Sequence, residues 1–263
     1  MDWFFRLPLL VLFAVIVGGF VLCTLSGMLV LGPARARVLA RFPRTSEQAA
    51  YFGTQIWLVY SLILSLVAVG GWSEYQSANE RVSREVSTIE VLQRRAVLYP
   101  EPMRTRMDDL IRDYARMVAD GEWAEQKAGR HPSAAKGAFA NLNILLGDFE
   151  PTNLPDQMVH AETLRELTLA SEARRARIHA SHNSLPNVVW LVVIVGAGLA
   201  LMGATFFVTV DHRGLHMVLV GIMAAFVGLV VFVTVALDHP FQGDVTPSET
   251  GFRYIADRPF GGQ

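Results

Sequence analysis

Residues 7–32, 51–72, 187–210 and 215–237 carry almost no ionisable side chains. Each run is long enough to cross about 30 Å of hydrocarbon as a helix. A charged side chain left unpaired at bilayer depth is costly, so four such runs commit the chain to a membrane. The 263 residues are 52% hydrophobic, but their charges are gathered into the polar stretch between the second and third runs. This pattern predicts an all-α fold, with four transmembrane helices (two plus two) flanking a helical extramembrane domain. Residues 1–72 would hold the first two spans and a basic connection, 73–186 the helical aqueous domain, 187–237 the last two spans, and 238–263 a tail.

The first run is long, and no small-x-small cleavage site ends it, so it reads as a retained helix. Cys23, the one cysteine, lies inside it and has no intrachain disulfide partner. The net charge is −1 and no basic stripe occurs, which argues against nucleic acid as a partner. The lipid bilayer is the partner the composition demands.

The first run contains Gly18, Gly19, Ser26 and Gly27, small residues that permit close helix approach in lipid. From Pro33 to Ala50 the sequence reads as a connection. The second run, with Gln55, Tyr60, Ser61 and Ser65, is the most polar of the four, which a pore or a helix contact could both use; for a pore, Ile63 and Leu66 join them as candidate lining positions. Pro186 suits a helix start just before the third run, where Trp190 follows. In the fourth run Thr234 is the one strongly polar side chain beyond His216 at its start.

Between the runs the periodicity is helical. Val82, Val86, Ile89, Gln93 and Ala96 continue the second span out of the membrane, and Pro100 and Pro102 end that helix. Met103, Met107, Leu110, Ile111, Tyr114, Met117 and Val118 form an apolar stripe on the next. Further helices are predicted over Ser133–Leu146 and from about Asp156 to Ser184. Fifteen Lys and Arg face seventeen Asp and Glu between residues 73 and 186, the balance of a solvated, internally paired bundle.

Arg35, Arg37, Arg41 and Arg44 stand against Glu47 in the first short connection, and Arg213 lies in the second with His212 and His216. Short loops govern orientation, so the short connections read as cytoplasmic and the helical domain as extracytoplasmic, in a multi-pass membrane protein. Arg174, Arg175 and Arg177, close before the third run, argue the other way.

Signals for catalysis are sparse. His179 and His182 are three apart on a helix, with Glu172 and His160 as further ligands to consider, but exposed helical histidines explain them better than a metal. Nucleophile elbows, zinc-protease helices, phosphate-binding loops and paired cysteines do not occur, nor does an acidic Ca²⁺ loop near Asp238, Asp244 and Glu249. The expectation is a protein without catalytic residues, metal or cofactor. Trp123 reads as a core anchor and Glu122 as a locally paired neighbour. Asp238, at the end of the fourth run, is placed to meet an arginine of the helical domain, and the Pro240, Phe241 and Gly243 that follow make a fixed turn.

Three pieces resemble a bacterial membrane family described as bestrophin-like. They are Leu98-Tyr99-Pro100-Glu101-Pro102 with the later Glu122-Trp123, Ser184-Leu185-Pro186 with Trp190, and Leu237-Asp238-x-Pro240-Phe241-x-Gly243-Asp244. True bestrophins are pentameric anion channels whose second span lines a hydrophobic neck. The resemblance therefore implies an oligomeric anion channel or a transport-related protein, and places the helical domain in the cytoplasm, against the charge reading. The Ca²⁺-binding acidic run of animal bestrophins has no counterpart here. A membrane-anchored sensor or scaffold, whose helical domain binds a partner or small ligand, is the alternative function.

Overall fold

The computed structural model describes residues 8–41, 46–181, 185–207 and 212–258. Among them the elements are helical and no strand occurs. In chain order they are α1 (Leu9–Arg41), α2 (Ser46–Ala96), α3 (Met103–Arg116), a π-helical turn (Met117–Glu122), α4 (Trp123–Lys127), α5 (Lys136–Gly147), α6 (Leu154–Ala180), α7 (Asn187–Phe207), α8 (Arg213–Asp238) and α9 (Thr250–Asp257). Four of these, α1, α2, α7 and α8, are long and apolar enough to cross a membrane. The chain divides into two compact units, one of Trp3–Glu74 with Ser184–Asp238, the other of Tyr75–Asn183 with His239–Gln263.

In the first unit α1 lies along α8, and α7 packs against both. Lipid tails are as apolar as leucine, so helices in a bilayer gain from close packing more than from apolar burial itself. The contacts use small residues accordingly. Ala197, Ala200 and Ala204 form the buried stripe of α7. A methyl group added to Gly228 of α8 would come within 3.0 Å of the Val17 backbone on α1. The glycines of α1 that the sequence marked for this purpose are not the ones used: a methyl group at Gly18, Gly19 or Gly27 would meet nothing within 4 Å. A glycine stripe shows that approach is possible, and the partner's shape decides where it happens.

α1 also continues through Pro33 to Arg41, where the sequence suggested a connection. A proline removes one helical hydrogen bond, and the run Ala34-Arg35-Ala36-Arg37 beyond it consists of good helix formers.

The second unit is a helical bundle around a core that includes Leu92, Met107, Ile111, Tyr114, Leu142 and Leu146. Just before α3, Glu101 Oε2 accepts from the Thr105 hydroxyl at 2.8 Å and from the Thr105 amide at 3.3 Å. The Glu101–Pro102 peptide bond beside this contact is cis. Asn153 caps α6 by accepting from the Asp156 amide at 2.9 Å. The observed α5 and α6 lie within a few residues of the helices expected from the sequence. α9 was not anticipated. Its eight residues bury Phe252, Ile255 and Ala256, one narrow face that a short window does not separate from a loop.

The inward register of α2 differs from the sequence reading by one position. Val82, Ile89 and Ala96 are buried as expected, but Glu85 and Leu92 share their face, while Val86 and Gln93 sit half-buried beside it. A search for apolar periodicity prefers valine to glutamate, so it passes over a carboxylate placed on the seam.

Candidate functional site

In the membrane unit, α2 turns Tyr60 and Leu64 inward against α7. The Tyr60 hydroxyl donates to the Val193 carbonyl at 3.1 Å, which satisfies it in surroundings without water. The Cδ2–Cε2 edge of its ring packs on Gly196, where a methyl group would approach it to 2.7 Å. Beside this contact a groove of about 340 Å³ is lined by Gln55, Val59, Tyr60, Ile63, Val192 and Leu199. Of the candidate pore-lining residues, Tyr60 is thus fixed in helix packing and Ile63 is half-buried, whereas Gln55, Ser61, Ser65 and Leu66 are exposed. The Ser61 hydroxyl donates to the Leu58 carbonyl at 2.9 Å, the usual way a serine hides its proton in an apolar helix.

The sequence motifs meet in pairs. Asp238, the last residue of α8, accepts from the Leu185 amide at 2.6 Å and from the Trp190 indole Nε1 at 3.3 Å. The Ser184-Leu185-Pro186/Trp190 piece and the Asp238 piece are therefore one contact, in which a carboxylate ties the start of α7 to the end of α8. Trp190 is half-buried and Pro186 exposed. In the bundle, Phe241 is buried with its ring 6.2 Å from that of Trp123, which packs also on Phe252 at 5.9 Å. Trp123 is a core anchor, as its sequence setting suggested. Pro240 is buried, Asp244 is exposed, and Gly243 has φ +74°, a left-handed conformation that explains glycine at that place in the turn. Pro100 and Pro102 are exposed at the turn into α3. Tyr99 beside them is buried, and its hydroxyl pairs with His160 Nδ1 at 3.0 Å. His160 is thus a packed partner of Tyr99. His179 is exposed, His182 lies outside the described residues, and no group of three metal-ligating side chains occurs among the described residues.

The most concentrated polar chemistry lies in the bundle interior. Arg177 of α6 donates from Nε to Glu85 Oε2 at 2.6 Å, from Nη2 to Glu122 Oε2 at 2.7 Å, and from Nη1 to Gln126 Oε1 at 2.9 Å. Arg174, one turn earlier, donates to both Glu122 oxygens at 2.5 and 3.0 Å and to the Tyr114 hydroxyl at 3.1 Å. Tyr114 in turn donates to Glu85. The Ala135 amide donates to Glu122 Oε1 at 3.2 Å. Two carboxylates and two guanidiniums give zero net charge, which is what makes their shared burial tolerable. Aromatic rings close the site: the Arg177 Cζ lies 5.7 Å from the Trp123 ring centre and 5.8 Å from that of Phe252.

The environment sets the protonation states. Burial works against an ionised Glu122, but hydrogen bonds from Arg174 and the charge of Arg177 outweigh it and hold its carboxyl below the usual range. Burial and the neighbouring Glu85 charge push the Tyr114 phenol up, so it remains a proton donor. Burial alone would weaken the charge on Arg177, yet Glu85 holds it well above the ordinary value.

Glu122 does not pair locally, as the sequence suggested; its arginine partners stand more than fifty residues away on α6. The arginines counted as flanking charges before the third span are mostly not free to flank it either. Arg174 and Arg177 are buried in the network, and Arg175 is exposed. Sequence reading missed Glu85, Tyr114, Arg174 and Arg177 as a set. One signal existed: α6 repeats His160, Thr163, Leu167, Ala170, Arg174 and Arg177 at alternating three- and four-residue spacing, a seam built mostly of polar side chains.

No curated protein and no solved structure matches the chain. A model of the Bestrophin-like domain matches residues 7–252, a stretch that includes all four long apolar helices, the buried charge network and the Asp238 contact. The chain belongs to the bestrophin-like family.

Proposed function

We propose that the protein is a non-enzymatic, oligomeric membrane protein that conducts anions or helps to move them, with α2 beside the path. The observation that carries this reading is the outward side of α2. Gln55 and Ser65 are exposed on an apolar helix whose inward side is occupied by Tyr60 and Leu64. Polar side chains facing hydrocarbon are unfavourable, and a second copy or a water-filled path relieves them. Exposed Leu66 is suited to a constriction that gates by dewetting. Family membership supports the same reading. The test is anion flux into liposomes containing the purified protein, with its oligomeric state measured in nanodiscs. A ring of subunits with flux above empty vesicles is expected; a monomer without flux under several anions and voltages rejects the proposal.

The bundle is placed outside the cytoplasm, in a bacterial inner membrane. The arginines of the first short connection support this, because Lys and Arg in short loops favour the cytoplasmic side. A reporter fused to the C-terminus that is active in the cytoplasm alone reverses the assignment.

A membrane-anchored sensor or scaffold is the second reading. One observation favours it: α2 is a single helix that carries both Tyr60 and the buried Glu85. Monomeric behaviour together with a partner crosslinked to the bundle would select it.

A further inference from the structure

We infer that α2 of one copy of this chain packs against α2 of a second copy, along an exposed seam of its membrane-spanning part. This contact rests on the oligomeric reading proposed above and is the surface that holds the copies together.

Gln55, Leu58, Leu62, Ser65, Val69 and Trp72 follow one another along α2 at spacings of three, four, three, four and three residues. A repeat of that kind keeps one stripe of a helix turned towards a partner helix over its whole length. The stripe lies on the side of α2 away from the buried Tyr60 and Leu64. Among the described residues nothing covers it: Leu58 is 66% exposed, Leu62 62% and Val69 64%.

Lipid satisfies apolar exposure, but it does not satisfy the two polar positions of the seam. Gln55 and Ser65 are exposed, and among the described residues neither side chain has a hydrogen-bond partner. Ser61 differs, since its hydroxyl returns to a carbonyl of its own helix. Gln55 and Ser65 lie about 15 Å apart along the helix axis, so one partner must offer hydrogen-bonding groups at two depths of the bilayer. A second copy does this by symmetry. All copies cross the membrane in the same direction, so two α2 helices run parallel and bring Gln55 opposite Gln55 and Ser65 opposite Ser65. A primary amide carries donors and an acceptor, and so pairs with its own kind. A polar residue at one seam position fixes register, and hydrogen bonds between helices support association in lipid. Leu58 and Leu62, between the two polar positions, keep the contact dry.

The test places single cysteines in the full chain carrying Cys23→Ser, reconstituted in liposomes, and follows oxidative crosslinking between copies. Leu62→Cys and Val69→Cys are expected to give a crosslinked dimer. Ile56→Cys and Ser61→Cys, at exposed positions on either flank of the seam, are expected not to. Gln55→Leu removes an exposed side chain and should fold; it is expected to weaken association, read by energy transfer between labelled copies on dilution with lipid, about three- to twentyfold. Gln55→Asn should weaken it less. Equal crosslinking at all four positions overturns the proposal. So does reaction of Leu62→Cys with a charged, membrane-impermeant thiol reagent, which would put water where the contact is dry, and so does unchanged association in Gln55→Leu. An oligomer that crosslinks at neither seam position rejects this surface and leaves the oligomeric reading standing, whereas a monomer rejects both. Seam crosslinking without anion flux supports the contact and rejects conduction alone.

Discussion

Arg177 on α6 and Glu85 on α2 form an ion pair in which neither side chain has any solvent exposure, with Nε and Oε2 2.6 Å apart. The two residues are 92 positions apart in the chain. Burying a carboxylate and a guanidinium costs several kcal/mol each in lost hydration, and the pair recovers this only because the remaining lone pairs and protons are also used. Here Tyr114, Glu122 and Gln126 use them. The network therefore serves to select one packing of α2, α3, α4 and α6 over others, because a shift of one residue in any of them strands a buried charge.

Removing one member should be worse than removing the charges together. Arg177→Met leaves Glu85 and Glu122 buried without their shared partner and should destabilise the bundle by about 3–5 kcal/mol. Adding Glu85→Gln to that variant should restore part of the loss, since one uncompensated charge disappears. Denaturant unfolding followed by circular dichroism of the purified protein measures both. A double variant less stable than Arg177→Met alone would contradict this account.

Stability should depend on pH at both ends. Burial holds His160 below its ordinary value of 6.5, so its neutral form is favoured in the fold, and that contribution is lost as pH falls below 6.5. Glu122 is held below its ordinary value of 4.5, so its contribution is full above that value and is lost on further acidification. Tyr114 is raised above its ordinary value of 10.0, so its contribution is full below pH 10 and fades as pH rises beyond it. A thermal midpoint measured from pH 3 to 11 should show a plateau near neutrality, with acid losses beginning in the first of these windows. His160→Gln should remove the loss that begins below pH 6.5 while leaving the one that begins below pH 4.5.

The α2–α7 contact should tolerate loss better than gain. Tyr60→Phe deletes one hydrogen bond to the Val193 carbonyl and should cost about 1 kcal/mol. Gly196→Ala drives a methyl group to 2.7 Å from the Tyr60 ring, which is itself buried, and should cost about 1–3 kcal/mol through overpacking. Combining Gly196→Ala with Tyr60→Leu should recover part of that cost. Thermal unfolding in one detergent compares all three.

Asp238 should matter through the Leu185 amide and the Trp190 indole. Asp238→Ala strands the Leu185 amide and the Trp190 indole and should cost about 2–3 kcal/mol, as expected for hydrogen bonds to a charged group. Asp238→Asn keeps an acceptor oxygen and should cost less.

The four long apolar helices were legible without coordinates, because transfer of a helix into lipid is close to a sum over its own residues and needs no knowledge of what lies nearby. The turn containing Gly243 and the core position of Trp123 were legible for a related reason: both are local properties of residue type. What the chain alone left undecided is which charged residues go inside. Glu85 and Arg174 look like surface residues in any window of sequence, and their burial is favourable only when each meets the other's network in space. The same holds for Gly196 in place of Gly18 or Gly27, since close approach depends on the shape of the facing helix. Pairing energies fall steeply with distance, so they belong to the tertiary structure, which alone brings Glu85 of α2 against Arg177 of α6.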